Sequence, residues 1–275
     1  MELRAIGLVR SDVRSRSDMP VQGVEAEIEI YPEYLAALEG VEENSHLILI
    51  CWLHEADREV LRAVARKISR DLPEKGVFSL RSPERPNPLS VSVVRLCGVR
   101  ERRYLELANV DLIDGTPVID LKPYQTGWDC VFSATGHDRT EKIRKMGPGE
   151  YREGLIREAV SYHGELCPGV AVGVRVVEAA TRILKRDLRV PQVSVTLGSG
   201  SDPCIADALI GITGARLGNR RLVCSGGDRY VFTGPGEEVV FCLRAVPETV
   251  DAVLASSEAS LFDCEVRPRT MPVQE

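Results

Sequence analysis

No stretch of the 275-residue sequence approaches the roughly 18 consecutive apolar residues needed to cross a bilayer. The strongest apolar run, LILICWL at 47–53, is followed at once by His54, Glu55 and Asp57. The N-terminus, MELRAIGLVRSD, lacks the uninterrupted apolar core and cleavage site of a secretory signal. These absences predict a cytoplasmic chain with no membrane partner. Cys-x-x-Cys spacing is also missing. The eight cysteines, at 51, 97, 130, 167, 204, 224, 242 and 264, are spread evenly, so no disulfide framework and no paired zinc signature is expected. In a cytoplasmic chain such cysteines are usually small buried hydrophobes. Neither half is strongly basic. Residues 1–135 carry 17 Lys and Arg against 22 Asp and Glu, and residues 136–275 carry 18 against 19. A protein that grips nucleic acid mainly through phosphates shows a basic footprint, and here only a local one is available. Arg62, Arg66, Lys67 and Arg70 share one face of a predicted helix, which reads either as that patch or as a solvated surface. Internal repeats and low-complexity tracts are absent.

What is present is ordinary for folded domains: 44% hydrophobic and 28% charged residues, in a length that suits two compact domains or one large one. The first half reads as short strands. Residues 25–30 (EAEIEI) alternate strictly, and 3–9, 46–53, 77–80, 91–99, 104–110 and 117–121 continue the pattern between Gly, Pro and Asp-Gly turns. Helices are expected at 32–39 and at 55–70, the latter with acidic residues first and basic residues last. Many short strands with few helices predict a small, mostly β barrel. After Cys130 the character changes. Residues 134–149 read as a polar, Gly/Pro-containing linker. Helices are expected at 150–162, 169–186, 203–212 and 247–260, and strands at 192–197, 222–224, 229–233 and 238–245. The second half, 150–275, is therefore an α+β domain.

The loop Arg81-Ser82-Pro83-Glu84-Arg85-Pro86-Asn87-Pro88 holds two arginines and three prolines in eight residues. Proline fixes φ and removes backbone donors, so the loop is stiff before any ligand arrives. Guanidinium forks suit carboxylates, and Asn87 offers a donor and an acceptor. From composition alone the loop reads equally as a cradle for an amino-acid-like ligand and as a structural turn with solvent-facing arginines.

The segments 76–89 (GVFSLRSPERPNPL) and 111–124 (DLIDGTPVIDLKPY) resemble the TsaA/TrmO family. Ile6-Gly7, Arg10-Ser11, Gln22-Gly23, Ser45-His46-Leu47, Trp52 and His54-Glu55-Ala56 fit the same order, over about residues 1–133. The resemblance implies a dimeric β-barrel that binds S-adenosylmethionine and methylates N6 of threonylcarbamoyladenosine in transfer RNA. It places Arg81, Arg85, Asn87 and Pro88 along the cofactor, with Asp111, Asp114, Gly115 and Thr116 as the opposite wall. Lys122 and Tyr124 come close to the transfer, and Gln22 and His46 are further pocket candidates. Because the sulfonium is already an activated donor, the protein mainly has to align donor and acceptor. Tyr124 and Asp114 are the expected catalytic groups, an acid or phenol taking the acceptor proton. Tyr124 also reads as a packing residue of the barrel rim, and His46 and His54 as structural histidines. One departure stands out: Ser90 occupies the position where the family usually has glycine.

In the second half, His163 and Cys167 are four apart beside a predicted helix N-terminus, and Cys204 follows at a distance. A mixed nitrogen and sulfur metal site and a buried structural set are both consistent with that spacing. His-Gly-x-x-Cys-Pro-Gly at 163–169, Cys-x-x-Asp-Ala at 204–208 and Thr-Gly-x-x-Leu-Gly at 213–218 resemble the FmdE family over about residues 150–246. That resemblance implies a divalent metal such as zinc on His163, Cys167 and Cys204, with Cys224 a less secure fourth ligand. Glu165 stands where many members have a second histidine, and the C-terminal zinc ribbon that some members carry is absent here. Three functions follow: a transfer-RNA methyltransferase, a methyltransferase acting on a small thiol or metal-associated acceptor, and a non-enzymatic sensor of S-adenosylmethionine or metal.

Overall fold

The computed structural model describes residues 2–20, 23–64, 71–134, 136 and 138–269. The chain folds as two compact units, residues 1–133 and 134–275. In the first, strands β1 (Gly7–Arg10), β2 (Val24–Ile30), β3 (His46–Trp52), β6 (Leu89–Arg100), β7 (Tyr104–Val110) and β8 (Pro117–Pro123) close a barrel in the order β1-β2-β7-β6-β3-β8. Every pair is antiparallel. Closure follows from alternation. Ala26, Ile28 and Ile30 of β2 turn inward with Leu47, Leu49 and Cys51 of β3 and Leu105 and Leu107 of β7, while Glu25, Glu27 and Glu29 face out. Because the strands alternate in direction, the ends of β1, β3 and β7 and the starts of β2, β6 and β8 lie at one mouth of the barrel. The other mouth carries the β6–β7 hairpin, with Glu101 and Arg102 both at φ 52°.

Three expected elements differ. Residues 32–38 form a 3₁₀ helix that opens on Pro32. Residues 77–79 are a single 3₁₀ turn, where a strand was expected. The described part of the expected 55–70 helix is not helical: Arg62–Ala63 (β4) pairs with Lys75–Gly76 (β5). There a tertiary pairing overrides a helix-like charge order. Arg66, Lys67 and Arg70 lie outside the described residues, as does Gln22.

The second unit is the expected α+β domain. Its sheet runs β10 (Leu222–Ser225), β9 (Ser194–Gly198), β11 (Arg229–Thr233), β12 (Glu237–Leu243), β13 (Phe262–Pro268), with β10 parallel to β9 and the other pairs antiparallel. Helix α4 (Pro168–Leu184) is valine-rich and buried over most of its length, with Arg175 paired to Glu178 one turn on. It packs with α3 (Pro148–His163), α5 (Pro203–Thr213), α6 (Val250–Ala255) and α7 (Glu258–Leu261). Phe232, Phe241 and Phe262 stack edge to face beneath them, at 5.9 and 5.2 Å. The expected linker contains α2 (Thr140–Lys145) and the start of α3. It is anchored: Arg139 donates to both carboxylate oxygens of buried Asp187, at 3.0 and 3.1 Å, and to Glu158 at 2.8 Å.

Candidate functional site

The mouth formed by the ends of β1, β3 and β7 gathers most of the predicted cofactor residues. Along loop 81–88, Arg85 turns inward onto main chain. Its guanidinium donates to the carbonyls of Ser82 (2.9 Å), Leu80 (2.7 Å) and Val77 (3.3 Å). Arg81 Nη2 donates to Val91 O at 2.6 Å. Both arginines, expected to meet a ligand carboxylate, thus shape the loop. Pro88 is buried and its carbonyl accepts from Leu53 N at 2.8 Å. Asn87 remains exposed, with no side-chain partner among the described residues.

The opposite wall follows β7. Asp111 accepts from Ser92 Oγ at 3.0 Å, and Asp114 accepts from Ser11 N at 3.2 Å, which ties the motif Arg10-Ser11 to this wall. Gly115 sits at φ +74°, the left-handed region that favours glycine. Thr116 is buried, and its hydroxyl donates to Ile113 O at 2.7 Å. Gly23, at φ +77° and immediately before β2, runs so close to β7 that a Cβ would lie 2.8 Å from the Asn109 and Val110 backbone. Ser90 opposes Cys51 across the β6–β3 pair with its Oγ buried. Burial, reinforced by the Asp111 charge, pushes the Cys51 thiol up to about 12.

Lys122, Tyr124 and His46 sit at the other mouth. Tyr124 N donates to His46 O at 3.1 Å, and Lys122 pairs with Asp120 at 2.7 Å. Tyr124 lies six residue steps from Val118, which faces Cys51; at about 3.3 Å per step this is roughly 20 Å. Within one protomer Tyr124 and Asp114 therefore cannot act on the same atom. Burial, with the nearby Cys130 and Asp129, also raises the Tyr124 phenol, which keeps it protonated. A cleft of about 460 Å³ beside it is lined by Lys122, Gln125, Trp128 and Asp129.

In the second unit three helix ends converge. His163 closes α3, Cys167 caps α4 and accepts from Val170 N at 3.4 Å, and Cys204 lies in the first turn of α5. Asp202 caps α5 through the amides of Cys204 and Ile205, and prolines follow both caps, where a missing N–H costs nothing. Gly169 lets the helices meet: a Cβ there would stand 2.7 Å from Cys204 Cβ and 3.0 Å from Asp202 Oδ1. Gly173, one turn on, does the same against Ala208, at 2.6 Å. The ligand atoms of His163, Cys167 and Cys204 all fall within 4.8 Å of one another. His163 Nδ1 lies 2.9 Å from Asp207 Oδ2, which turns Nε2 toward Cys167 Sγ, 3.7 Å away. Burial, the neighbouring Cys167 thiol and the charges of Asp202 and Asp207 push Cys204 up to about 11. Asp207 belongs to the Cys-x-x-Asp-Ala motif, whose spacing alone gives it no role; the contact with His163 does. Cys224, on the exposed edge strand β10, is not part of the cluster.

Residues 8–130 match the model of the tRNA-methyltransferase O N-terminal domain, and residues 162–260 match that of FmdE, of the molybdenum formylmethanofuran dehydrogenase operon. A probable S-adenosyl-L-methionine-binding protein of Methanothermobacter thermautotrophicus is 45% identical over 137 residues, 48% of this chain and 95% of that one. The chain belongs to the TrmO family. A second probable S-adenosyl-L-methionine-binding protein, from Archaeoglobus fulgidus, is 35% identical over 233 residues, 81% of this chain, although the chain spans only 61% of it. The crystal structure of TrmO from Pseudomonas aeruginosa is 34% identical over 49% of this chain and 60% of that chain, with a TM-score of 0.40. The TrmO motifs of the barrel and the FmdE motifs of the second unit thus occupy separate, self-contained folds. No helix among the described residues is long and apolar enough to span a membrane.

Proposed function

We propose that this TrmO-family chain transfers the methyl group of S-adenosylmethionine, with N6 of threonylcarbamoyladenosine in transfer RNA as the leading acceptor. The observation that carries the reading is the convergence of loop 81–88, Asp111, Asp114 and Ser11 at one barrel mouth. The residues there suit the cofactor: exposed Asn87 offers donor and acceptor, and the carboxylates of Asp111 and Asp114 would complement a ligand that bears a cationic sulfonium and an ammonium group. Bound there, the cofactor supplies an activated methyl group, and the residues around it hold and orient it. A homodimer belongs to this reading. It allows Lys122 and Tyr124 of one protomer to serve the loop of its partner, and exposed Val91 and Val93 on the outer barrel face suit such a contact.

The test is methyl-labelled S-adenosylmethionine with unmodified and threonylcarbamoylated transfer RNA. Label is expected only in the modified RNA. Label in neither, from protein that binds the cofactor, sinks this acceptor and leaves the second reading.

In that second reading the acceptor is a small thiol or metal-associated ligand held by the second unit. The His163, Cys167 and Cys204 cluster favours it. Two sulfurs and an imidazole, the latter backed by a carboxylate, suit zinc, which when bound acts as a Lewis acid and lowers the pKa of a bound thiol. Metal analysis should find about one ion per chain and little in Cys167→Ser. Equal content in that variant removes Cys167 as a ligand.

A further inference from the structure

The proline-rich loop is tied down by guanidinium groups, and two of the four come from outside it. Arg16 Nη2 donates to Glu84 Oε1 at 2.6 Å, and its Nη1 donates to Glu55 O at 3.3 Å. Arg58 Nε donates to Pro86 O at 3.0 Å, while its guanidinium carbon sits 5.5 Å from the centre of the Trp52 ring. Arg16 thus links the chain after β1 to the loop and to the chain after β3. Pro83, Pro86 and Pro88 supply no N–H, which leaves the loop richer in acceptors than in main-chain donors, and the ties from Arg16 and Arg58 arrive as donors aimed at its carboxylate and at a carbonyl. Arginine, with five donors in a fixed fork, is suited to that task.

We infer that Arg16 and Arg58 are positioning residues for the methyl-donor site, holding Glu84 and Pro86 in the binding shape of the loop. The inference rests on the methyl-donor reading of that loop. When such a tie is cut, the cost of ordering the loop falls on the ligand and affinity drops. The Arg16–Glu84 pair is partly exposed, at 39% and 26%, so its share of global stability is small. Among the described residues Glu84 Oε2 is buried without a partner and Glu84 makes one ion pair, so the loop leans on that pair.

Calorimetric titration of S-adenosylmethionine into full-length Arg16→Ala, Arg58→Ala and the double variant tests this, beside thermal melting and amide exchange across residues 80–90. Each single change should raise Kd about three- to tenfold and the double change should raise it further, with melting temperature held within about 2 °C and faster exchange in the loop. Exchanging the charges, Arg16→Glu with Glu84→Arg, should recover most of the affinity lost in Arg16→Glu alone. Wild-type affinity in both alanine variants overturns the inference. So does a loss that tracks a matching fall in melting temperature without rescue by the exchange. A wild-type protein that binds no S-adenosylmethionine overturns the methyl-donor reading itself and this inference with it.

Discussion

The two candidate sites are built in opposite ways. At the barrel mouth the conspicuous side chains are spent on main chain: Arg81 and Arg85 hold carbonyls, and Thr116 closes its own turn. What faces outward is a shaped loop. In the second unit the main chain is spent on bringing side chains together. Two caps, two prolines and two glycines set three helix ends so that one nitrogen and two sulfurs converge. In the proposed function the first arrangement is completed by a ligand or a second copy, whereas the second already brings its three ligand atoms together in one chain. Substitutions should therefore act on the second unit through packing, and on the barrel mouth through binding.

The largest expected effect is on packing. Gly173→Leu places a branched side chain where even a Cβ would be 2.6 Å from Ala208 Cβ and 3.2 Å from Ile205 O. Forcing α4 from α5 should cost about 3 kcal/mol or more in urea unfolding and abolish metal binding. A stable Gly173→Leu protein that still binds metal would contradict the helix-contact account. Next comes Asp207→Ala, which removes the carboxylate on His163 Nδ1 without touching a proposed ligand. Competition against a chromophoric chelator should show metal affinity falling about 10- to 100-fold, and cobalt-substituted protein should show an altered visible spectrum. Unaltered affinity and spectrum would leave Asp207 as a surface contact. Arg85→Ala should weaken S-adenosylmethionine by about tenfold, because three carbonyls lose their shared donor and the loop must be ordered on binding. Equal affinity by calorimetry would show that the prolines alone hold the loop.

How much of this could be read from the sequence follows the same division. EAEIEI alternates strictly, and its glutamates face out while its apolar positions fill the barrel. His163, Cys167 and Cys204 meet because Cys-Pro and Asp-Pro-Cys are helix-start signals, each fixing where a side chain must stand. Resemblance supplied the loop and the Asp111–Tyr124 segment but not their distances. Expecting Lys122 and Tyr124 beside the wall of Asp111, Asp114, Gly115 and Thr116 overlooks that Pro117–Pro123 is a full strand, which carries Tyr124 to the far mouth. Partners were equally hidden: no spacing rule indicates that Arg85 bonds carbonyls or that Asp207 backs His163. The acidic-to-basic order of 55–70 misled because the pairing of Arg62–Ala63 with Lys75–Gly76 is a tertiary choice.

The smallest effect is expected at Ser90, where the motif resemblance implies glycine. Ser90 is in register with Cys51 at the barrel mouth, and its buried hydroxyl fills space that a glycine would leave empty. Ser90→Gly removes that hydroxyl, yet glycine inside a strand loses more conformational freedom on folding, so a net destabilisation of about 0.5–1 kcal/mol is expected. Binding should scarcely change. Asp111 is held from Ser92, and the loop is held by its arginines, so neither wall of the mouth is positioned by Ser90. Calorimetry of Ser90→Gly should therefore give an S-adenosylmethionine Kd within about twofold of wild type, a difference below roughly 0.5 kcal/mol. A tenfold gain in affinity would place the serine side chain inside the cofactor's volume and show that this mouth binds in a pose of its own.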